Sequence, residues 1–356
     1  MSKKVLIGMS GGVDSSVSAL LLKEAGYEVI GATMELCDLG CENAEGNCGG
    51  SQAVLDAKRV CEKIGIPHYT FNNKEEFNKR VIENFIDEYA NAKTPNPCVE
   101  CNKYLKFGAF YQKAQELGCD YVATGHYAKV EYSEKYNQYV LKKSDSLKKD
   151  QTYFLYGINK EVLPKILLPL EKFTEKEAVR QIAKQHNLEI AEKTDSQEIC
   201  FIPNNDYVSY LCKNSKQEQT KGNIELRTGE ILGTHSGLIN YTVGQRKGLG
   251  IAYKEPLYVL ELNKTKNAVI VGTSQELYED ELYAKDLNFL LNIDLTQPIE
   301  IKAKIRYRAQ EAEATLYPAQ NGIAKVKFKE PQRAITPGQS VVFYIDDIVL
   351  GGGKII

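Results

Sequence analysis

No run of apolar residues in this chain approaches the ~20 that a helix needs to cross a bilayer, so no membrane span is expected. Neither sign of charge dominates: 45 Lys and Arg against 47 Asp and Glu leave a formal net charge of −2, which neither demands nor forbids a charged partner. No internal repeat and no low-complexity tract is present. The first residues, Met-Ser-Lys-Lys-Val, carry no secretory apolar segment, so the expected location is the cytoplasm. The glycine loop near the start lacks Gly-Lys-Ser/Thr, which excludes the usual P-loop whose lysine grips a γ-phosphate. The 9 cysteines are an odd number, and in a large cytoplasmic chain they argue for thiol or metal chemistry rather than a disulfide scaffold.

What is present is an ordinary globular composition, 43% hydrophobic and 26% charged, over 356 residues, enough for two or three domains. Residues 8–15 organise the chain: Gly8, Met9, Ser10, Gly11, Gly12, Val13, Asp14 and Ser15. The apolar run Val5-Leu6-Ile7 before them reads as a buried strand, and Val17, Leu20 and Leu21 after them as a helix start. Strand, glycine loop and helix together aim backbone N–H groups and a helix dipole at an anion. Gly11 and Gly12 let the backbone approach a phosphate without a Cβ in the way, and Ser10, Ser15 and Ser16 add hydroxyls. An ordinary tight turn explains the glycines but not their coincidence with serines and an acid at a strand end. Ser-Gly-Gly-x-Asp-Ser resembles the PP-loop of ATP pyrophosphatases, which adenylate a substrate oxygen and release pyrophosphate.

Residues 1–126 alternate strand and helix. Strands are expected at 3–9, 28–34, 67–71 and 120–125, and helices at 15–25, 51–64, 75–91 and 103–117. This alternation implies an α/β domain with a parallel sheet, whose ligands sit at the carboxyl ends of the strands. Thr124-Gly125-His126 should therefore face the same crevice as the glycine loop, and Met34, ending the second strand, borders it or packs in the core. Residues 127–141 read as an edge hairpin, and 152–158 and 175–187 as helix. From about 204 short β-rich runs take over, at 224–233, 236–243, 257–263, 267–272, 299–307, 311–317, 323–328 and 341–350, the last group forming a small antiparallel barrel. Residues 273–285 read as an acidic linking region. The expected domains are 1–203, 204–275 and 276–356. Residues 301–333 hold eight Lys or Arg against three acids. That excess suits a polyanion such as RNA, or a solvated strand face.

Two cysteine sites stand out. In Thr94-Pro95-Asn96-Pro97-Cys98-Val99-Glu100-Cys101, two prolines fix an extended turn, and Asn102 or Thr94 is placed to cap the next helix. Cys101 then lies near a helix N-terminus, where the dipole favours thiolate. Cys-x-x-Cys alone is a redox, zinc or iron–sulfur signal. Cys200, followed by Phe201 and Ile202, reads alone as a buried core cysteine. Cys37, Cys41 and Cys48 lie in a glycine-rich loop whose spacing supplies no fourth zinc ligand. Cys61, Cys119 and Cys212 sit in apolar stretches and are expected in the core.

The motifs taken together resemble the bacterial tRNA-specific 2-thiouridylases, collinearly over nearly the whole chain. They include residues 8–15, Thr-Pro-Asn-Pro (94–97), Cys-Asn-Lys-Tyr-Leu-Lys-Phe (101–107), Thr-Gly-His-Tyr (124–127), Lys-Asp-Gln-Thr-Tyr-Phe-Leu-Tyr (149–156), Ile-Cys-Phe-Ile (199–202), Gly-Gln-Arg-Lys-Gly-Leu-Gly-Ile (244–251), Arg-Tyr-Arg (306–308), Thr-Pro-Gly-Gln-Ser (336–340) and Leu-Gly-Gly-Gly (350–353). The resemblance implies a PP-loop domain, a small central domain and a C-terminal β-barrel that binds tRNA. It implies that residues 8–15, Met34 and Gly125 hold ATP with Mg²⁺. It further implies that the C2 oxygen of the wobble uridine is adenylated, that Cys200 carries a persulfide supplied by a sulfur-donor protein, and that Cys101 releases the sulfur and is left in a disulfide with Cys200. Asn96, Pro97 and Cys98 match the segment that meets the target base. His126, Lys149, Asp150, Gln151, Arg306, Tyr307 and Gln339 match tRNA contacts. Cations suit phosphate, and Tyr or amide groups suit unstacked bases flipped from the anticodon.

One departure matters. Many members of that family carry aspartate where this chain has Cys98. With Cys101 and Cys200 it makes three thiolates, a set able to hold a [4Fe–4S] cluster with one iron open to hydrosulfide. Persulfide relay and cluster-bound sulfide are both open from the sequence. Rival readings are a nitrogen-adding PP-loop synthetase, which needs no cysteine pair, and a non-catalytic RNA-binding protein, which needs no pyrophosphate loop.

Overall fold

The computed structural model describes residues 2–36, 50–194, 199–215 and 219–356. Its first strand, β1 (Lys4–Gly8), is central because Val5, Leu6 and Ile7 are apolar without interruption and fully buried. β2 (Glu28–Glu35) pairs with it on one side and β4 (Tyr121–Ala123) on the other, both parallel. With β3 (His68–Asn72) outside β2 and β7 (Ile166–Leu167) outside β4, the sheet order is β3-β2-β1-β4-β7. One face is covered by α1 (Val13–Glu24), α2 (Ser51–Ile64) and α5 (Lys176–Gln185), through Val17, Leu20, Ala57, Val60, Val179 and Ala183. The other is covered by the helix 97–116, through Phe107, Phe110 and Ala114. The strand order turns at β1 and β4, so the loops leaving their carboxyl ends open one crevice.

The periodic elements fall close to the expected positions. The helix expected over 75–91 runs over 74–90 and that over 103–117 runs over 97–116, each with a π-helical stretch, Asn78–Ile82 and Cys101–Ala109. β7 has only two residues, too few for a pattern to register. The 152–158 helix is a single turn, Thr152–Phe154.

The second half departs further from expectation. The run 224–233 is a hairpin of β8 (Gly222–Leu226) and β9 (Ile231–His235), turned at Gly229 with φ +90. Residues 236–243 are not a strand. Their apolar side chains go to different clusters, Ile239 with Phe201, Tyr241 with Val259 and Val243 with Leu260, so no single face alternates. A helix, α6 (Tyr207–Asn214), lies in a region expected to be β-rich. β10 (Tyr258–Asn263) and β11 (Ala268–Gly272) complete the central sheet in the order β10-β11-β8-β9. The expected linking region over 273–285 is instead mostly β12 (Tyr278–Phe289), the longest strand, whose Glu281 and Asp280 pair with Lys325 and Lys327 opposite. The run 341–350 divides into β16 (Ser340–Ile345) and β17 (Ile348–Ile355), turned at Asp346. With β13 (Ile299–Lys304), β14 (Ala312–Leu316) and β15 (Ala324–Arg333), these strands close a six-stranded barrel by pairing β12 with β17. The edge hairpin of the first domain, β5 (Lys129–Ser133) and β6 (Gln138–Lys142), joins the barrel by the pair Ile348 and Lys142.

Candidate active site

The glycine loop leaves β1 and turns at Gly11, whose φ of +70 favours glycine. A Cβ on Gly11 would lie 2.6 Å from the Ala53 carbonyl oxygen, so α2 also requires a glycine there. Helix α1 starts directly after Gly12 without a side-chain cap, and its first N–H groups have no acceptor within the helix. Buried Ser15 and Ser16 donate their hydroxyls to the Gly12 carbonyl at 3.2 and 2.8 Å. The Ser16 hydroxyl thus braces the loop instead of reaching for a ligand, whereas Ser10 is exposed. Gly125 presses against the loop: a Cβ there would stand 2.8 Å from the Asp14 carbonyl carbon and the Ser15 nitrogen. The structure therefore brings 8–15 and 124–126 together, as their strand ends require.

Three side chains reach the loop from far along the chain, and sequence reasoning missed them in that role. Tyr127 donates its hydroxyl to one Asp14 oxygen at 2.8 Å, and the Lys176 ammonium meets the other at 2.7 Å. The Lys193 ammonium donates to the Gly11 carbonyl at 3.0 Å and pairs with Asp56 at 2.7 Å. Among the described residues, Lys176 and Lys193 bring positive charge to a loop that has no lysine of its own. No local pattern marks them, because each lies on an otherwise ordinary polar stretch.

The residues present fit a magnesium ion. Mg²⁺ keeps most of its ligands from water and substrate phosphates and takes one or two carboxylates from protein, and Asp14 supplies one in the anion loop. They do not fit an iron–sulfur cluster in this arrangement. Among the described residues, Cys98, Cys101 and Cys200 included, no three His, Cys, Asp or Glu side chains converge as a metal-holding group.

Cys98 and Cys101 are placed by a capped helix start. Asn96, not Thr94 or Asn102, is the cap: its side-chain oxygen accepts from the Cys98 N–H at 3.2 Å, with Pro97 in the first helical position. Asn102 is buried and donates to the Phe154 carbonyl at 3.1 Å. Cys98 is exposed, Cys101 and Cys200 are half-buried, and the π-helical stretch begins at Cys101. Cys101 and Cys200 pack against one apolar cluster of Leu36, Phe77, Phe85, Leu105, Phe201 and Ile202, and Met34 packs against it too. Phe201 is held edge-on by Phe77 and Phe85, at 5.7 and 5.3 Å between ring centroids, which anchors the residue next to Cys200. The neighbouring residues 195–198 and the stretch with Cys37, Cys41 and Cys48 lie outside the described residues. Burial pushes the Cys61 thiol up to about 12, as expected of an inert core cysteine. Cys119 is half-buried and raised by the same cause. Cys212 is exposed, contrary to expectation, because α6 turns Leu211 inward and its neighbour outward.

The residues matched to RNA contacts divide in two. Half-buried His126 sits between the Thr124 hydroxyl at 2.8 Å and the Lys106 ammonium at 3.4 Å. Burial, and then Lys106, holds its pKa well below the ordinary value, so the ring is neutral at neutral pH. Tyr307 lies over Phe154 at 4.4 Å with the Lys304 ammonium 5.6 Å from its ring. Arg306 braces a turn by donating to the Arg333 and Ala334 carbonyls. Lys149 is half-buried. Three others are committed inside the fold. Asp150 is buried and accepts from Thr152 at 2.6 Å and the Ser144 N–H at 3.2 Å. Gln151 accepts from the Tyr127 N–H at 3.0 Å. Gln339 donates to the Thr94 carbonyl at 2.8 Å. Part of the basic excess is likewise spent on the barrel surface, where Lys325 pairs with Glu281 at 2.6 Å and Lys329 with Glu313 at 3.1 Å.

Comparison with known proteins accounts for all three regions. Residues 3–204 match the family model described as a tRNA methyl transferase HUP domain. Residues 209–273 match a tRNA methyl transferase PRC-barrel domain, and 279–355 an aminomethyltransferase beta-barrel domain. The chain is 51% identical over 356 residues to tRNA-specific 2-thiouridylase MnmA of Clostridioides difficile, covering 100% of this chain and 98% of that one. It is 51% identical to the protein of the same description from Acetivibrio thermocellus, covering 99% of each. For that of Clostridium perfringens the identity is 50%, covering 99% of this chain and 98% of the relative.

Proposed function

The chain belongs to the tRNA-specific 2-thiouridylase family, and from that premise we propose how its residues carry the reaction. It is an ATP-dependent sulfurtransferase that thiolates tRNA. The target is C2 of the wobble uridine, position 34. The uracil C2 oxygen attacks the α-phosphate of ATP held at residues 8–15, Met34 and Gly125, and pyrophosphate leaves. Asp14 would hold the Mg²⁺ that offsets charge on the phosphates, with Lys176 and Lys193 beside it. The adenylated C2 is electrophilic with AMP as leaving group, because a carbonyl exchanges oxygen for sulfur only once the oxygen departs readily. The terminal sulfur of a Cys200 persulfide attacks C2 and the C2–O bond breaks. The Cys101 thiolate then attacks the Cys200 sulfur. The thiouridine leaves with the sulfane sulfur, and a Cys101–Cys200 disulfide remains for an external thiol to reduce.

One observation carries this reading: Cys101, Cys200 and Met34 share one apolar cluster at the carboxyl end of β2, beside the loop that leaves β1. Asn96, Pro97 and Cys98 meet the flipped base. His126, Lys149, Asp150, Gln151, Arg306, Tyr307 and Gln339 form the tRNA-facing set, the committed ones through the loops they hold. The persulfide comes from a sulfur-donor protein, the enzyme works in the cytoplasm, and the domains are 1–203, 204–275 and 276–356. Among the described residues no helix is long and apolar enough to cross a membrane.

The test is mass spectrometry of tRNA nucleosides after incubation with ATP, Mg²⁺ and sulfide or a persulfide donor. Thiolated wobble uridine is expected, and its absence with every donor would overturn the reading. Iron and a broad absorption near ~400 nm in anaerobically purified protein would replace the persulfide relay with the cluster route. Lys176→Met should raise the ATP concentration needed for half-maximal pyrophosphate release about tenfold, the scale of one charge-assisted hydrogen bond. An unchanged ATP dependence would remove Lys176 from the nucleotide site.

A further inference from the structure

The C-terminal barrel grips the cysteine turn on both flanks. On the upstream side, the Thr94 N–H donates to the Pro337 carbonyl at 2.9 Å, and Gln339 returns a bond to the Thr94 carbonyl at 2.8 Å. The approach is close enough to need glycine at 338: φ is +91, and a Cβ would lie 2.8 Å from the Thr94 nitrogen. On the downstream side, Lys354 of β17 reaches Glu100, the residue before Cys101, at 3.5 Å, and Glu88 of the helix 74–90 at 3.1 Å. The three side chains are only 12–16% exposed. Burial alone would lower the Lys354 pKa, but Glu100 and Glu88 outweigh it and hold the ammonium above its ordinary value. The two anchors are joined within the barrel, since the Gly338 N–H donates to Ile355 at 2.9 Å and the Ile355 N–H to Gln339 at 2.8 Å. Asn96, Pro97 and Cys98 lie between the anchors, and Cys101 follows the second directly.

Two carboxylates share one ammonium here, and Glu88 Oε2 is buried with no hydrogen-bond partner. The cluster therefore depends on Lys354. Without it, the two buried carboxylates lack their shared counter-ion, and either one of them holds a proton or the helix start that carries Cys101 shifts.

We propose that Lys354 is a positioning residue for sulfur transfer: while the turn 336–339 holds the upstream end of the turn that carries Asn96, Pro97 and Cys98, Lys354 makes the tRNA-binding barrel the element that sets the register of Cys101 against Cys200. The barrel that seats the RNA then also places the thiol that completes the reaction. This inference rests on the assignment of Cys101 given above.

The test separates the two half-reactions in the full-length enzyme. Lys354→Met should slow single-turnover formation of thiouridine from a persulfide-loaded enzyme by about tenfold to a hundredfold, the effect of misplacing a reacting group by ~1 Å. Pyrophosphate release with tRNA and tRNA affinity should stay within about twofold, and Lys354→Arg should recover most of the loss. Glu100→Gln, which leaves Lys354 balanced by Glu88, should show the same selective loss in a milder form and decides the matter if Lys354→Met does not fold. Sulfur transfer at the unsubstituted rate in the folded variants, or an equal fall in both half-reactions, would overturn the proposal. Absence of thiolation in the unsubstituted enzyme would instead overturn the assignment of Cys101.

Discussion

Cys200→Ser should lower thiolation by at least about three orders of magnitude, the scale on which one member of a jointly acting catalytic set is lost, while pyrophosphate release with tRNA persists. In the proposed mechanism residues 8–15 and Gly125 carry adenylation, and a serine hydroxyl at 200 changes nothing there. What is lost is the sulfur: an alcohol oxygen holds no sulfane sulfur and gives no nucleophile of thiolate strength. Cys101→Ser should fail differently. The Cys200 persulfide still reaches C2, but no thiol cleaves the S–S bond, so tRNA stays attached to Cys200 through sulfur. A tRNA–protein adduct on a denaturing gel that disappears with dithiothreitol is the expected result. Both outcomes depend on the two cysteines working in one place, in keeping with their packing against one apolar cluster. Thiolation by the double serine variant would sink the persulfide relay.

Gly125→Ala should disable the first half-reaction while leaving the chain folded. The added methyl would meet the Asp14 carbonyl carbon and the Ser15 nitrogen at 2.8 Å and the Asp14 Cβ at 3.1 Å. These are backbone atoms and the root of a side chain, not the far end of a flexible one, so the glycine loop itself must move. Overpacking of this kind costs about 1–3 kcal/mol of stability. A shift of ~1 Å in the loop costs about a hundredfold in rate, because the loop works by fixed geometry against the phosphates. Pyrophosphate release in the presence of tRNA reads the effect, and the unfolding midpoint separates it from collapse of the domain. Gly118→Ala is the control. Its φ of +65 makes alanine locally strained, but nothing lies within 4 Å of the added methyl. It should lose about 1 kcal/mol and keep its rate. Equal loss of rate in both variants would mean that the contact with the loop is not what matters at Gly125.

Local periodicity explains how much of the fold was legible. α2 lies over 51–64 as its apolar spacing requires, and β1 lies where Val5-Leu6-Ile7 puts it. Patterns failed where apolar residues on one stretch serve several cores, as at 236–243, or where paired charges on a strand face look like a linker, as in β12. The cap at Asn96 was missed because Thr94, Asn96 and Asn102 are all capping residue types, and only the backbone angles select among them.

The sequence by itself determined where nucleotide phosphate is expected: glycines, serines and an aspartate after a buried strand call for it, because residue type and local spacing carry that information directly, whereas the sulfur roles of Cys101 and Cys200 come from the resemblance to the 2-thiouridylases. Tertiary structure alone decided which groups are available for it. It turned Asp150, Gln151 and Gln339 into internal braces, and it brought Lys176 to Asp14 across 162 residues of chain. It also set the barrel's Lys354 against Glu100, one residue before Cys101. Contacts between residues so far apart are chosen by how whole domains pack and by which buried charges must find partners, and no local stretch of sequence contains that choice.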